Sequence, residues 1–474
     1  MKPMIPALFL SYYFPPTGGA PAQRSMKFVR YLPESGYLPV VITGPGTSHN
    51  QWTPRDPSLA REIPGTVPIL RVQGPVPGVR KNKILRRSER WLGLSSPFSQ
   101  WWISSAARLG ERALESHNAK LIYASMSPFE SADVAVFLSR KHGIPWVADL
   151  RDPWAIDEIQ VFPTLLHKKL ALRKMHSLLS SASAIVMNTP EATACLRRNF
   201  PDFHNQRVVT ITNGFDQEDL DLCKAPRVNG KFTIVHAGSF LTDSGLLHRR
   251  RRRAYEGLGG AMPGVDIATR SHLVLFEAIH RWCQAKPDVR NHLEIVFAGN
   301  VPRSDASCPE EQDVLSLTRF EGYLPREESL GIVRTASLLF LAMHNLPPGQ
   351  RSTTAPSKMY EYMASGRPIL AAVPDGDARD FLTRCGTALL CRPDDRDAMI
   401  QCLDRAYERW KSNLPLPMPD QHFLSSFERK TLTESLAREF DAVLGAGPTA
   451  SSPELSKGGP HLRHGSRPEI QDVV

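Results

Sequence analysis

Cysteine is scarce: seven in 474 residues, scattered from Cys195 to Cys402 with no CxxC pair. An odd, dispersed set makes neither a disulfide framework nor a thiolate zinc site, and it fits a reducing compartment. Long apolar runs are missing too. No stretch reaches the ~18 uncharged apolar residues of a membrane span. The opening MKPMIPALFLSYYFPP has only a short apolar run and no small-residue cleavage site, so it reads as a first strand rather than a signal peptide. No GxGxxG follows that strand, which removes the dinucleotide fingerprint. Histidines such as His236 and His344 form no HExxH or HxH set, and no DxD-type acidic cluster is read at a strand end, so no metal and no cofactor are expected. Positive charge is what the chain has in surplus: 58 Lys and Arg against 48 Asp and Glu, a net +10. That balance suits an anionic partner, whether a nucleotide diphosphate, an acidic lipid surface or nucleic acid, without choosing among them.

Short apolar runs alternate with helical patterns. ALFLSYY (Ala7 to Tyr13), a Gly/Pro loop, the helix pattern SMKFVRYLPESG and LPVVITG (Leu38 to Gly44) make a βαβ unit, the building block of a parallel sheet. Further strands are expected at 120–125, 145–150, 184–189 and 208–214. A second cycle starts at FTIVHAGS (Phe232 to Ser239) and continues at 293–300, 317–324, 337–343, 368–374 and 387–393. Two doubly wound α/β halves follow: residues 1–219 and 220–423. A helix at 424–445 and a tail at 446–474, rich in Pro, Gly and Ser and read as disordered, complete the chain.

Three loops carry candidate chemistry. FPPTGGAPAQR (Phe14 to Arg24) puts Gly18 and Gly19 after the first strand, where backbone approaches a ligand closely and the next helix offers free N–H groups to an anion; the plain alternative is a βα turn. ADLRDPWAID (Ala148 to Asp157) clusters Asp149, Arg151 and Asp152 at a strand's carboxyl end, with Trp154 suited to a sugar-stacking floor. A local salt-bridge network is the other reading. TAPSKMYEYMASGRPILAAVP (Thr354 to Pro374) sets Ser357 and Lys358 before a helix carrying Glu361. A lysine at a helix N-terminus offsets phosphate charge, and a glutamate one turn on accepts from both hydroxyls of a ribose.

These segments, with NTPEA, ITNGFD, IVHAGS, VFAGN and EGYLPREESL in order between them, resemble the bacterial family-4 (group 1) glycosyltransferases of the GT-B fold that build capsules, O-antigens and exopolysaccharides. The resemblance spans about residues 5 to 445. It implies two Rossmann-like domains facing a cleft, with the C-terminal helix returning to the first. It further implies that Gly18, Gly19, Gly238, Ser239 and Ser357 lie along the donor diphosphate. Gly322, Tyr323 and Leu324 would frame the base, and Glu361 would hold the ribose. Arg270 and Lys358 would stabilise the leaving group. Asp149 and Asp152 would orient the acceptor, with Arg24, Arg151 and Trp154 on the acceptor side.

The chain departs from that family in three places. Relatives often pair Glu361 with a second glutamate eight residues earlier, where this chain has Thr353. The segment 127–136, in which relatives often show a histidine, has Asp133 instead. A stretch at 241–269 containing five consecutive arginines, Arg249 to Arg253, replaces a short loop. Its many glycines and few apolar residues predict a mobile loop at the cleft mouth, over 241–265, cut first by trypsin at the arginine run. The other readings of the run are a polyanion or lipid-headgroup contact and a donor-site lid. A second basic stretch, RKNKILRRSERWLGL (Arg80 to Leu94), followed by Trp101 and Trp102, suits an interfacial helix on anionic lipid; a basic surface helix with buried tryptophans is the alternative.

The functional expectation is a retaining glycosyltransferase moving a sugar from a UDP- or GDP-sugar to a glycan or lipid-linked acceptor. It is expected in the cytoplasm, peripheral at the inner face of the plasma membrane, with no nucleic-acid partner. A hydrolysing nucleotide-sugar epimerase and a non-catalytic nucleotide-sugar-binding or membrane scaffold are the competing readings.

Overall fold

The computed structural model describes residues 3–47, 53–78, 91, 95–223, 230–299, 301 and 313–445. The basic stretch 80–90 and the tail 446–474 lie outside the described residues. Among the described residues thirteen short strands form two wholly parallel sheets. The first contains β1 (Ile5–Leu10), β2 (Tyr37–Thr43), β3 (Ile69–Arg71), β4 (Leu121–Met126), β5 (Trp146–Leu150), β6 (Ala184–Met187) and β7 (Val208–Thr210) in the order β3-β2-β1-β4-β5-β6-β7. The second contains β8 (Phe232–Ala237), β9 (Leu293–Ala298), β10 (Thr318–Gly322), β11 (Leu338–Ala342), β12 (Ile369–Ala372) and β13 (Ala388–Cys391) in the order β10-β9-β8-β11-β12-β13. Strands such as LIYASM and LLFLA are buried along their whole length, as parallel strands covered by helices on both faces must be. In each sheet the winding reverses beside the first strand, between β1 and β4 and between β8 and β11, and that is where open α/β sheets bind ligands.

Three local outcomes differ from the sequence reading. β3 was not expected: three half-buried residues after Pro68 carry too little periodicity to announce a strand. The first helix starts earlier, at Ala20, directly after Gly19. The terminal helix is two, Gln421–Ser425 and Arg429–Leu444, because the chain opens between them to pair with Phe215, whose amide donates to the Phe427 carbonyl (3.1 Å) while the Arg429 amide donates back to Phe215 (2.8 Å). The second of these helices returns to the first domain. Leu432, Leu436 and Phe440 enter the core around Ala7 and Phe9, and the Tyr37 hydroxyl donates to Asp441 at 2.6 Å.

The arginine-rich insertion is packed structure, not a mobile loop. Residues Thr242–Gly257 form a helix whose Thr242, Gly245 and His248 are buried. Arg249 pairs with Asp266 (2.7 Å) and Arg252 with Glu256 (3.4 Å), so part of the charge is neutralised inside the insertion. Beyond the helix, Val265 and Ile267 make a small core with Leu346, and Asp266 exchanges backbone hydrogen bonds with Asn345 (3.0 and 2.9 Å). The segment then clasps the first domain: the Phe162 amide donates to Gly260 and the Leu165 amide to Leu258, both at 2.8 Å. The expectation failed because it counted apolar residues and missed that the glycines permit close backbone contact. Trp102 is also corrected. It is fully buried, with its indole N–H on Ser131 at 3.3 Å, and belongs to no interfacial belt. The described helices include none long and apolar enough to cross a membrane.

Candidate active site

Loops leaving the carboxyl ends of both sheets meet across a cleft. On the second-domain side, β8 runs into Gly238 and Ser239. Gly238 sits at φ 115°, its amide on Ala298 (2.7 Å), and a Cβ there would lie 2.6 Å from the Lys358 ammonium. Glycine therefore lets Lys358 lie against the strand end. Lys358 is the second residue of the helix Ser357–Ala364, whose first amides have no helical partner and present their positive end to the cleft. Its Nζ is 2.9 Å from His236 Nε2, and His236 Nδ1 is 2.9 Å from the Phe340 carbonyl. Burial, then the Lys358 charge, pushes this imidazole well below its ordinary pKa. A neutral ring donating from Nδ1 leaves Nε2 to accept from the lysine.

Arg270 follows the short turn Ile267–Thr269, held by its own amide on Ile267 and by the Leu241 amide on its carbonyl, both at 3.0 Å. Burial lowers its pKa against the opposing pull of Asp157 and Asp152. Burial, followed by the nearby Arg270 charge, lowers Lys358 to about 7. Among the described residues neither cation forms an ion pair with a carboxylate: Lys358 meets a neutral imidazole, and Arg270 faces Asp157 and Asp152 only at longer range.

The remaining donor-side residues frame this pair. Ser357 opens the helix, and Glu361, one turn on, accepts from Arg326 Nη1 at 2.9 Å. Arg326 also pairs with Asp219 (2.6 Å), which joins Asp216 (2.7 Å) and Glu62 (2.6 Å) around Lys27, so Glu361 is the last member of a charge network reaching the first domain. Gly322, Tyr323 and Leu324 lie at and just past the end of β10. The Tyr323 hydroxyl donates to Asp56 at 2.8 Å and lies so near Gly18 that a Cβ there would be 2.9 Å from it. Gly18 and Tyr323 thus meet across the cleft, and Gly19 precedes the first helix of the domain.

Two first-domain assignments are overturned. Asp149 and Arg24 are 0% and 1% exposed and pair with each other, two N–H donors to two oxygens at 2.8 Å. Tyr123 donates a third bond to Asp149 (2.5 Å), and Arg24 spends its other donors on the Thr212 and Ile211 carbonyls (2.7 and 2.8 Å). Neither faces an acceptor; they tie the first helix to β5 and the chain after β7. Asp152 stays at the cleft, half exposed and 3.0 Å from Arg151. Trp154, at φ 60°, has one face stacked on Phe129 (4.8 Å, 2°). Asp133 lies on the helix Ser131–His142 beside Lys174 (3.0 Å).

Sequence reasoning missed two carboxylates in this loop. Asp157 faces Arg270 from the other domain; burial, then the neighbouring Glu158, raises its pKa well above its ordinary value. Glu158 crosses the cleft altogether. It accepts from Ser352 Oγ (2.5 Å), the Thr353 amide (3.1 Å), the Thr353 hydroxyl and His344 Nε2 (3.0 Å). Burial would raise its pKa, but these bonds, His344 foremost, hold it at about 2. Position 353 lacks its own carboxylate and receives one from the first domain. The only sequence signal was the acidic pair ending ADLRDPWAIDE. Among the described residues no group of three or more His, Cys, Asp or Glu is arranged to hold a metal. Asp375-Gly376-Asp377, which does follow β12, is used otherwise: Asp375 faces Arg392 (3.4 Å) and Asp377 accepts the Glu191 amide (2.6 Å).

Comparison with known proteins agrees with this geometry. Residues 19–214 match the family model described as a glycosyl transferase 4-like domain. No curated protein matches the chain by sequence. Similar solved structures include a glycosyltransferase from Rickettsia africae ESF-5 (TM-score 0.59, 12% identity, 93% of this chain and 99% of that one). Anabaena Alr3699/HepE in complex with UDP-glucose is another (0.57, 15%, 92% and 100%). A third is sucrose-phosphate synthase from Thermosynechococcus elongatus (0.55, 14%, 93% and 95%). At these identities the likeness establishes the two-domain GT-B fold, and the sequence match shows that residues 19–214 resemble a glycosyl transferase 4-like domain.

Proposed function

We propose that the protein is a retaining glycosyltransferase that moves a sugar from a UDP- or GDP-sugar to a glycan or lipid-linked acceptor in cell-surface polysaccharide synthesis. Residues 1–219 serve the acceptor and 220–423 the donor. One observation carries the reading: Lys358 and Arg270, two cations drawn out of water at the carboxyl edge of the second sheet with no carboxylate among the described residues paired to either. Such a pair is costly unless an anion completes it, and the departing nucleoside diphosphate is that anion. The Anabaena neighbour, solved with UDP-glucose, supports a nucleotide-sugar donor.

In the reaction the bond from the anomeric carbon to the diphosphate oxygen breaks as the acceptor oxygen bonds to the same face of that carbon. The acceptor proton passes to a diphosphate oxygen. Lys358, Arg270 and the amides opening the helix at Ser357 stabilise the charge that develops, which is the work a divalent metal would otherwise do. Asp152 and Asp157, facing Arg270 from the acceptor side, orient the attacking hydroxyl. The test is to incubate the protein with UDP- and GDP-sugars, with and without membrane lipid extract and with EDTA. Nucleotide release that needs the extract and survives EDTA is expected. Release without any acceptor points to the hydrolysing epimerase, and none under any condition to a non-catalytic binder.

A further inference from the structure

Twelve large apolar side chains stand exposed on the described surface, and six of them lie on or beside two helices that meet end to end: Trp91, Leu165, Leu166, Leu170, Leu247 and Leu258. The junction joins two helices from different domains. One is Leu165–Leu179, between β5 and β6; the other is Thr242–Gly257, the helix of the insertion. They are fastened where the first begins and the second ends, by the Leu165 amide on the Leu258 carbonyl (2.8 Å). Trp91 lies edge-on to His167 at 5.5 Å, on the same side as the start of the first helix.

Each helix turns an ordered face outward. In Leu165–Leu179, Met175 and Leu179 are buried while Leu166, Lys169, Leu170 and Arg173, at spacings of three, four and seven, are exposed. In Thr242–Gly257, Thr242, Gly245 and His248 are buried. Leu247, Arg250, Arg251, Ala254 and the following Leu258 form the opposite stripe, all exposed. Both outer faces therefore interleave leucine with Lys or Arg at helical spacing. The insertion sorts its arginines accordingly: Arg249 and Arg252 turn to Asp266 and Glu256, whereas Lys169, Arg173, Arg250 and Arg251 have no ion-pair partner among the described residues.

From this we infer that the paired outer faces of the 165–179 and 242–257 helices form a docking surface for an anionic lipid bilayer. Headgroup phosphates answer the unpaired cations, and the leucines, with Trp91, enter the interfacial layer between them. A nucleic acid would satisfy the cations and leave the leucines in water. The surface lies at the rim of the cleft, since the insertion opens at Leu241, whose amide holds the Arg270 carbonyl. Docking there brings the acceptor side of the site to the membrane, which rests on, and sharpens, the proposal of a lipid-linked acceptor.

The test is flotation of the full chain with phosphatidylcholine vesicles, with and without phosphatidylglycerol, at low and high salt. The wild-type protein is expected to float with the anionic vesicles and to lose them as salt rises. Leu166→Glu/Leu170→Glu and Arg250→Glu/Arg251→Glu should each cut the partition coefficient about tenfold or more. Leu414→Glu/Leu416→Glu, which alters two exposed leucines away from the junction, should leave it unchanged. Nucleotide affinity, measured without vesicles, should be the same in all three variants. Three results overturn the inference: a wild-type protein that does not float, junction variants that float like wild type, or a loss as large in the 414/416 variant. A wild-type protein that floats yet binds no nucleotide leaves the surface standing and removes the enzymatic reading instead.

Discussion

Two groups of buried charge lie within this molecule and are built on opposite principles. At the border of the first domain three buried cations are closed off. Arg24 has its donors on Asp149, Thr212 and Ile211, and Lys27 sits among Glu62, Asp216 and Asp219. Arg326 joins Asp219 to Glu361, which keep its pKa above the ordinary value against the effect of burial. In the second domain Lys358 and Arg270 lie close together with no carboxylate among the described residues in contact, and burial draws both below their ordinary values. A closed set must stay complete for the fold to keep its stability, because removing one member strands another. An open set costs stability in the empty protein and acquires its counter-charge from a ligand. The first kind is architecture and the second is the proposed site, although both read as charged motifs beside strand ends.

Breaking the closed set should produce the largest effect, and on stability alone. Asp149→Ala leaves a buried guanidinium without its bidentate partner and should cost about 3–5 kcal/mol of unfolding free energy. Chemical denaturation measures this. Nucleotide affinity of the folded protein should not change. A variant as stable as wild type but inactive would return Asp149 to the acceptor site and erase the distinction.

The mirror experiment is Lys358→Ala. Removing one cation of the open set should leave stability equal or higher while turnover falls about 10²–10³-fold, the range typical of a lost transition-state donor. Steady-state kinetics alongside a melting curve separates the two outcomes. Loss of folding in this variant would make the ammonium a structural group.

Glu361 lies on the boundary of the two sets, so its effect should be smaller. Glu361→Ala is expected to weaken nucleotide binding by about 1.5–3 kcal/mol. The fold should persist because Arg326 keeps Asp219. Titration calorimetry with UDP and GDP reads the loss, and undiminished affinity would confine Glu361 to the charge network.

The contrast also explains what could be read in advance. Strand positions and the doubly wound order were legible because fully buried parallel strands are near-continuous apolar runs, as in FTIVHA and LLFLA. That Lys358, Arg270 and Gly238 stand near one another was legible because strand ends and helix starts fix where the backbone points. What could not be read was pairing over long separations. Asp149 looks like a cleft carboxylate until Arg24, 125 residues away, is seen to cover it. Glu158 looks like a loop residue until Thr353 and His344 receive it from the other domain. The insertion failed for a related reason: its contacts lie on residues 159–165 and 345–346, which nothing in its own composition names.

The finest test of the open set uses pH. With its pKa drawn down to about 7, Lys358 is half charged in the empty protein at neutrality. A diphosphate beside it favours the ammonium, so the bound protein holds that proton to higher pH than the free protein does. Binding above pH 7 must therefore take up a proton, and affinity should fall as pH rises, by at most about tenfold per pH unit. Between pH 7 and 9 the terminal phosphate of UDP or GDP, with a pKa of about 6 by analogy with phosphoamino acids, has finished titrating. The neighbouring groups sort by sign. His236 is held well below its ordinary value and stays neutral throughout, and Arg270 stays charged. Burial raises Asp157 well above its ordinary value, and its ionised form opposes an anion near Arg270, in the same direction as loss of the Lys358 charge. Lys358→Arg separates these contributions, because a guanidinium does not titrate in this range. Affinity in that variant should fall less steeply between pH 7 and 9 than in the wild type. Equal slopes in wild type and Lys358→Arg would show that the lysine stays charged when the site is empty, and that the pair is less isolated from counter-charge than its geometry implies.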